Sequence, residues 1–185
     1  MSHVNLSKFN NDWYSPKASA LKRLLWYFCN ALFFMNPLMP VSKVKVILLR
    51  LFGAKVGNGV VIKPSVNIKY PWLLSIGNHV WIGEEVWIDN LVEIDIADHV
   101  CISQGAMLLT GSHDYKAESF GLLTGKITLE SGAWIGAKAV VCPNVICHTH
   151  SVLAVGSVAT HSLEAHTIYQ GNPAQAKRKR EITEK

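Results

Sequence analysis

The sequence predicts an all-β solenoid in which six-residue rungs stack in successive coils, behind a helical N-terminal extension. Two observations carry this. An aliphatic residue recurs at every sixth position in long runs between Val56 and Val158, and glycine, asparagine and aspartate crowd the positions between. A period of six suits neither a helix nor a plain two-residue alternation, because it repeats an inward side chain and a turn together.

In chain order, LKRLLWYFCNALFFM over residues 21–35 predicts a helix. Leu21, Leu24, Leu25, Phe28 and Leu32 form one stripe, and Trp26, Tyr27, Phe33 and Phe34 cover the other faces. Its uncharged run of 12 residues, Leu24 to Met35, is shorter than the roughly 20 a bilayer-spanning helix takes. Pro37 and Pro40 end it. Val44, Ile47, Leu48 and Leu51 then make the apolar side of a second helix, with Lys43, Lys45 and Arg50 on its other sides. The two helices either close the open edge of the first coil or lie in a membrane interface, and the readings are compatible.

The repeat follows in four registers. Val56, Ile62 and Ile68 open VGNGVV, IKPSVN and IKYPWL; Ile76, Ile82 and Ile88 open IGNHVW, IGEEVW and IDNLVE. Ile96, Ile102 and Leu108 open IADHVC, ISQGAM and LLTGSH; Leu129, Ile135, Val141, Cys147 and Leu153 carry the last register to residue 158. The first position of each hexad points inward, a smaller inward residue follows four later (Val60, Val80, Ala106, Ala139), and the rest turn corners. The main interruption is a polar stretch, His113 to Lys126, expected to leave the solenoid as a loop. The chain therefore divides into a helical extension over 1–53, a β-solenoid over 54–160 and a C-terminal segment with a basic tail over 161–185.

Composition narrows the class further. The chain has 185 residues, 49% hydrophobic and only 17% charged, which excludes disorder and favours one apolar domain or contact with a membrane. Cys29, Cys101, Cys142 and Cys147 form no CxxC pair and no secretory signal precedes them, which fits the cytoplasm, at large or at the inner face of the membrane. After Asp12 the next acidic residue is Glu84, while Lys17, Lys22, Arg23, Lys43, Lys45, Arg50, Lys55, Lys63 and Lys69 lie between. That asymmetry suits a solvated basic face, an anionic lipid surface or a phosphate-bearing substrate. Nucleic acid is not expected, since no aromatic–basic interleaving accompanies the charge.

The hexads resemble the hexapeptide-repeat acyltransferase superfamily, in which three hexads make one triangular coil of a left-handed parallel β-helix. The 14 hexads then imply four to five coils. NLSKFNNDWY, LRLFGAKVG, IKYPWLLSIGNHVWIGEEVWIDNL, CISQGAMLLTGSHDY and YQGNPAQAKRKR extend the resemblance to the colanic acid biosynthesis acetyltransferases, relatives of the galactoside and maltose acetyltransferases. What the resemblance implies is a homotrimer with sites in clefts between subunits, moving acetyl from acetyl-CoA to a sugar hydroxyl in exopolysaccharide biosynthesis, with no metal required. The acceptor is a carbohydrate, free or carried on a nucleotide or lipid.

Acyl transfer to a hydroxyl needs a base, and His113, in a loop beside a rigid solenoid, is the candidate. The resemblance assigns it that role, although Ser112 makes the turn one residue longer than in the galactoside enzymes. Asp114 is a candidate orienter, and Asp89 and Asn90 are candidates for the acceptor. For acetyl-CoA the resemblance maps onto Trp134, Ala137, Val155, Thr160, His161, Gln175 and Arg178, with His161 and Gln175 replacing basic residues of the relatives. The run Lys177–Arg180 supplies further cations for phosphate. Two other functions stay open: a non-catalytic β-helical scaffold, and a zinc enzyme like the γ-class carbonic anhydrases, whose paired loop histidines are absent around His113, where Leu108 and Glu118 stand.

Overall fold

The computed structural model describes residues 3–183 and has the predicted class, a parallel β-helix behind two helices. Three parallel sheets form its faces. The first stacks Lys55–Val56, Leu74–Ile76, Ile94–Ile96, Ile127–Leu129 and Ile146–Cys147. The second stacks Val61–Ile62, Trp81–Ile82, Cys101–Ile102, Trp134–Ile135, Val152–Leu153 and Thr167–Gln170, with Gln175–Lys179 added antiparallel at its end, and the third runs from Asn67–Ile68 to Val158–Ala159. That makes five complete coils and the start of a sixth, against the four to five expected. The sixth escapes the repeat because Leu163, bridged to Cys147, follows Ala159 after four residues and not six, and Tyr169, paired with Leu153, takes an aliphatic's place.

First-position residues form fully buried columns such as Ile62, Ile82, Ile102, Ile135 and Leu153. The fourth position of the hexad adopts left-handed backbone whatever its residue: Gly59, His79, His99, Gly132 and His150 at one corner, Ser65, Glu85, Gly105, Lys138 and Gly156 at the next. Small residues at the second position answer a different demand, since a Cβ on Gly83 would lie 2.6 Å from the Gln104 nitrogen of the next coil. Lys55 faces Ser75 and Ser75 faces Asp95, so these coils are 20 residues long, whereas Thr128 to Ile146 takes 18. The extra length always enters at the corner between the third sheet and the first. There, between Leu109 and Ile127, the largest insertion emerges.

Helices α1 (Ala20–Cys29) and α2 (Ser42–Leu51), joined through a π-helical turn at Asn30–Phe34, cover the open edge of coil one. That edge exposes unpaired peptide groups, so the covering face must hydrogen-bond as well as pack. The Trp26 indole donates to Ile68 O at 2.8 Å, Asn30 accepts from Ile68 N at 3.3 Å, and Ser42 both accepts from Ile62 N and donates to Ile62 O. Arg50 donates to the Val56 and Gly57 carbonyls at 2.8 Å each, and Lys45 Nζ donates to Lys63 O at 2.6 Å.

The leucine stripe of α1 therefore faces outward, and α2 turns Lys45 inward. Lys45 is fully buried and Trp26 is inside, while Leu21, Leu25, Phe28, Leu32, Ile47 and Leu51 are more than half exposed. The inward face combines these hydrogen-bonding side chains with the fully buried Phe34 and Leu49.

Burial pushes the Lys45 ammonium down from 10.5 to about 8. Between those values the unfolded chain holds a proton that the folded chain has released, so this group makes stability rise with pH across that window. Below about 8 both states are protonated and the desolvation cost of the cation is carried in full. Lys45→Met is expected to flatten the rise, read by urea denaturation from pH 7 to 10 beside the wild type; an unchanged slope would refute the buried-cation account.

Candidate active site

The corner between the third and first sheets holds the candidates for the base and the acceptor, His113, Asp89 and Asn90. Asp89 ends the strand Trp87–Asp89 and pairs with Lys69, one coil earlier, at 2.8 Å. Both line a cavity of about 520 Å³ walled by Arg23, Tyr27, Tyr70 and Trp87. Asn90 is fully buried, its amide donating to Tyr70 O at 2.6 Å and accepting from Tyr70 N at 2.9 Å. It braces the corner on which Asp89 stands. Thr110, one coil further and also fully buried, donates to Asp89 O and accepts from Leu91 N at 2.8 Å, tying that corner to the base of the insertion.

The insertion is an ordered hairpin, not the loop expected from His113. It leaves at Gly111–His113 and returns at Leu122–Thr124 with His113 opposite Leu122, so the departure comes two residues early. Gly125 N donates to Thr110 O at 2.8 Å and closes its base. The His113 ring stacks on Phe120 at 4.4 Å with planes 9° apart, and its Nδ1 lies 3.0 Å from Phe120 O. A carbonyl only accepts, so Nδ1 carries the hydrogen and the neutral ring presents its lone pair at Nε2. Asp114 takes no part in this, since its carboxylate accepts from Lys116 N.

The segment before α1 runs along the same corner. Asn5 N donates to Glu118 O, Lys8 pairs with Glu118 at 2.9 Å, and Phe9 approaches the His113 ring at 5.9 Å. Further on, the Tyr14 hydroxyl donates to Leu91 O at 2.8 Å, burial raising its pKa, and Lys17 holds the Glu93 carboxyl below the usual carboxylate range. Phe9, Tyr14, Thr110 and Phe120 went unassigned in the sequence. NLSKFNNDWY marked the segment without saying where it docks, and nothing short of the fold brings Phe120 against the His113 ring or Thr110 to Asp89.

The residues mapped for acetyl-CoA gather on coils four to six. Trp134, Val152, Ile168 and Arg178 lie in one register row across the second sheet, and the Trp134 indole, 44% exposed, donates to Ser103 Oγ at 2.9 Å. Ala137 and Val155 occupy successive levels of the next corner, where Gly156 N donates to Ala137 O. Thr160 and His161, side chains 3.0 Å apart, follow the last strand of the third sheet, and Gln175 sits opposite Gln170. Within the basic run Lys179 donates to Thr167 and Arg180 to the Gly132 carbonyl, while Lys177 and Arg178 form no ion pair among the described residues. The described residues contain no cluster of three or more histidine, cysteine or acidic side chains placed to hold a metal.

A β-helix of six-residue rungs broken by one hairpin that carries a histidine defines the class of hexapeptide-repeat acyltransferases. No family model matches the chain. It is 38% identical over 166 residues to WcaF of Escherichia coli, named as a colanic acid biosynthesis acetyltransferase, with 90% of this chain and 91% of that one covered. Among solved structures it is similar to a hexapeptide-repeat acetyltransferase of Vibrio cholerae (TM-score 0.77, 25% identical, 89% and 96% covered), which has also been solved with acetyl coenzyme A. A galactoside acetyltransferase bound to coenzyme A shares the fold (TM-score 0.76, 22% identical, 89% and 84% covered). The chain belongs to the hexapeptide-repeat acetyltransferases, in the family that includes WcaF.

Proposed function

We propose that the chain transfers acetyl from acetyl-CoA to a sugar hydroxyl in the biosynthesis of an exopolysaccharide of the colanic acid kind, with His113 as general base. The observation that carries this is the hydrogen bond from Nδ1 to Phe120 O, which leaves the basic Nε2 unprotonated in the neutral ring. In the reaction the sugar oxygen attacks the thioester carbonyl while Nε2 takes its proton. Collapse of the tetrahedral intermediate breaks the carbon–sulfur bond, and the imidazolium returns the proton to the departing CoA thiolate. No metal is needed at any step.

Asp89, ion-paired to Lys69 at the cavity wall, supplies carboxylate oxygens for acceptor hydroxyls, and Asn90 positions it through the corner. The cofactor lies along coils four to six, its adenosine phosphates toward Arg178 and Lys177, with Trp134, Ala137, Val155, Thr160, His161 and Gln175 along its length. A homotrimer, as the family resemblance implies, completes the site by placing a neighbour beside the His113 corner. The test is incubation with acetyl-CoA and exopolysaccharide precursors, free, nucleotide-linked and lipid-linked. A product heavier by one acetyl group, with one free thiol released per transfer, is expected for one of them. Absence of both product and thiol across the set would reject the reading.

A further inference from the structure

The cap on coil one leaves a large apolar surface facing outward. Its hydrogen-bonding side chains, Trp26, Asn30, Ser42, Lys45 and Arg50, reach the strand edge beside the buried Phe34 and Leu49, while a separate set of apolar side chains points away. On α1 the outward stripe is Leu21, Leu24, Leu25 and Phe28, each more than half exposed and spaced to lie opposite Trp26, with Leu32 continuing it at 60%. On α2, Ile47 and Leu51 stand a turn apart opposite the buried Lys45 and Leu49, and Leu38 between the helices is 87% exposed. Scattered exposed leucines need no explanation, but a contiguous end face of them does.

From these observations we infer that this end face docks on the surface of an anionic lipid bilayer, with the outward side chains of α1 and α2 in the headgroup–acyl boundary. Charge selects that occupant. Residues 13–83 hold nine lysines and arginines and no acidic residue, and exposed Arg23 and Lys43 flank the apolar stripe. A second copy docked face to face would set cation against cation with no acid from this segment to compensate, whereas anionic headgroups answer both the charge and the apolar surface. None of the described helices is long and apolar enough to cross a membrane, so the face lies on the bilayer and does not span it. The inference stands apart from the proposed acetyl transfer and needs no activity to test.

The test is cosedimentation of the full chain with vesicles of equal parts phosphatidylcholine and phosphatidylglycerol, and with phosphatidylcholine alone, at low and high salt. Wild type is expected to pellet with the mixed vesicles and to be released by salt. The double variant Leu25→Gln, Phe28→Gln, changing only outward side chains, is expected to partition about tenfold less while keeping its circular dichroism and melting temperature. Three results would overturn the inference: no binding of wild type to mixed vesicles at low salt, equal binding of the variant, or a change in the variant's mass in sedimentation velocity without vesicles. The last would identify the face as a contact between copies.

Discussion

His113→Ala is expected to lower kcat/KM for acetyl transfer by about 10²- to 10⁴-fold, the range for removal of a general base. The fold should survive, because the ring lies on a hairpin outside the stacked columns and its one hydrogen bond is to a loop carbonyl. His113→Asn separates two roles. An asparagine amide can still donate toward Phe120 O, but it offers no basic nitrogen, so activity should fall as far as in the alanine variant. If asparagine restored most of the rate, the ring would be a positioning residue and the base would lie elsewhere. Equal rates for wild type and His113→Ala would remove the assignment altogether.

That the histidine could be singled out at all follows from the rigidity of the repeat. A period of six fixes an inward residue, a left-handed fourth position and a small second position, so a break in it is conspicuous, and His113 stands at the largest break. Asp89 was visible by the same logic, as a carboxylate at a corner. Long-range hydrogen bonding was not visible. Phe120 O sets the tautomer of His113, Thr110 ties the hairpin to the Asp89 corner, and Asn90 closes on Tyr70. None of these pairings has a periodicity of its own. The sixth coil was missed because Tyr169 fills an aliphatic's place, and which face of each helix turns inward stayed open because hydropathy alone does not place Trp26 and Lys45 inside and the leucine stripe outside. A strand edge ranks side chains by what they can donate and accept.

Trp26 meets both demands, burial and donation, so its loss should cost most in stability among the cap residues. It is 2% exposed, packs edge-on against Phe34 and tilted against Phe52 at 5.1 Å each, and donates to Ile68 O. Trp26→Ala removes a large buried ring and leaves that carbonyl unpaired, for an expected loss of about 3–5 kcal/mol. Trp26→Phe keeps most of the packing but not the indole donor and should cost about 1–2 kcal/mol, so the pair apportions the effect. Each coil of a solenoid touches only its neighbours, so the damage should stay at the N-terminal end. Hydrogen exchange is expected to accelerate first in the strands of coil one, Lys55–Val56, Val61–Ile62 and Asn67–Ile68, while protection in coils four and five persists. Uniform loss of protection along the chain would mean that the β-helix unfolds as one unit, and that the cap holds the whole fold and not just its first coil.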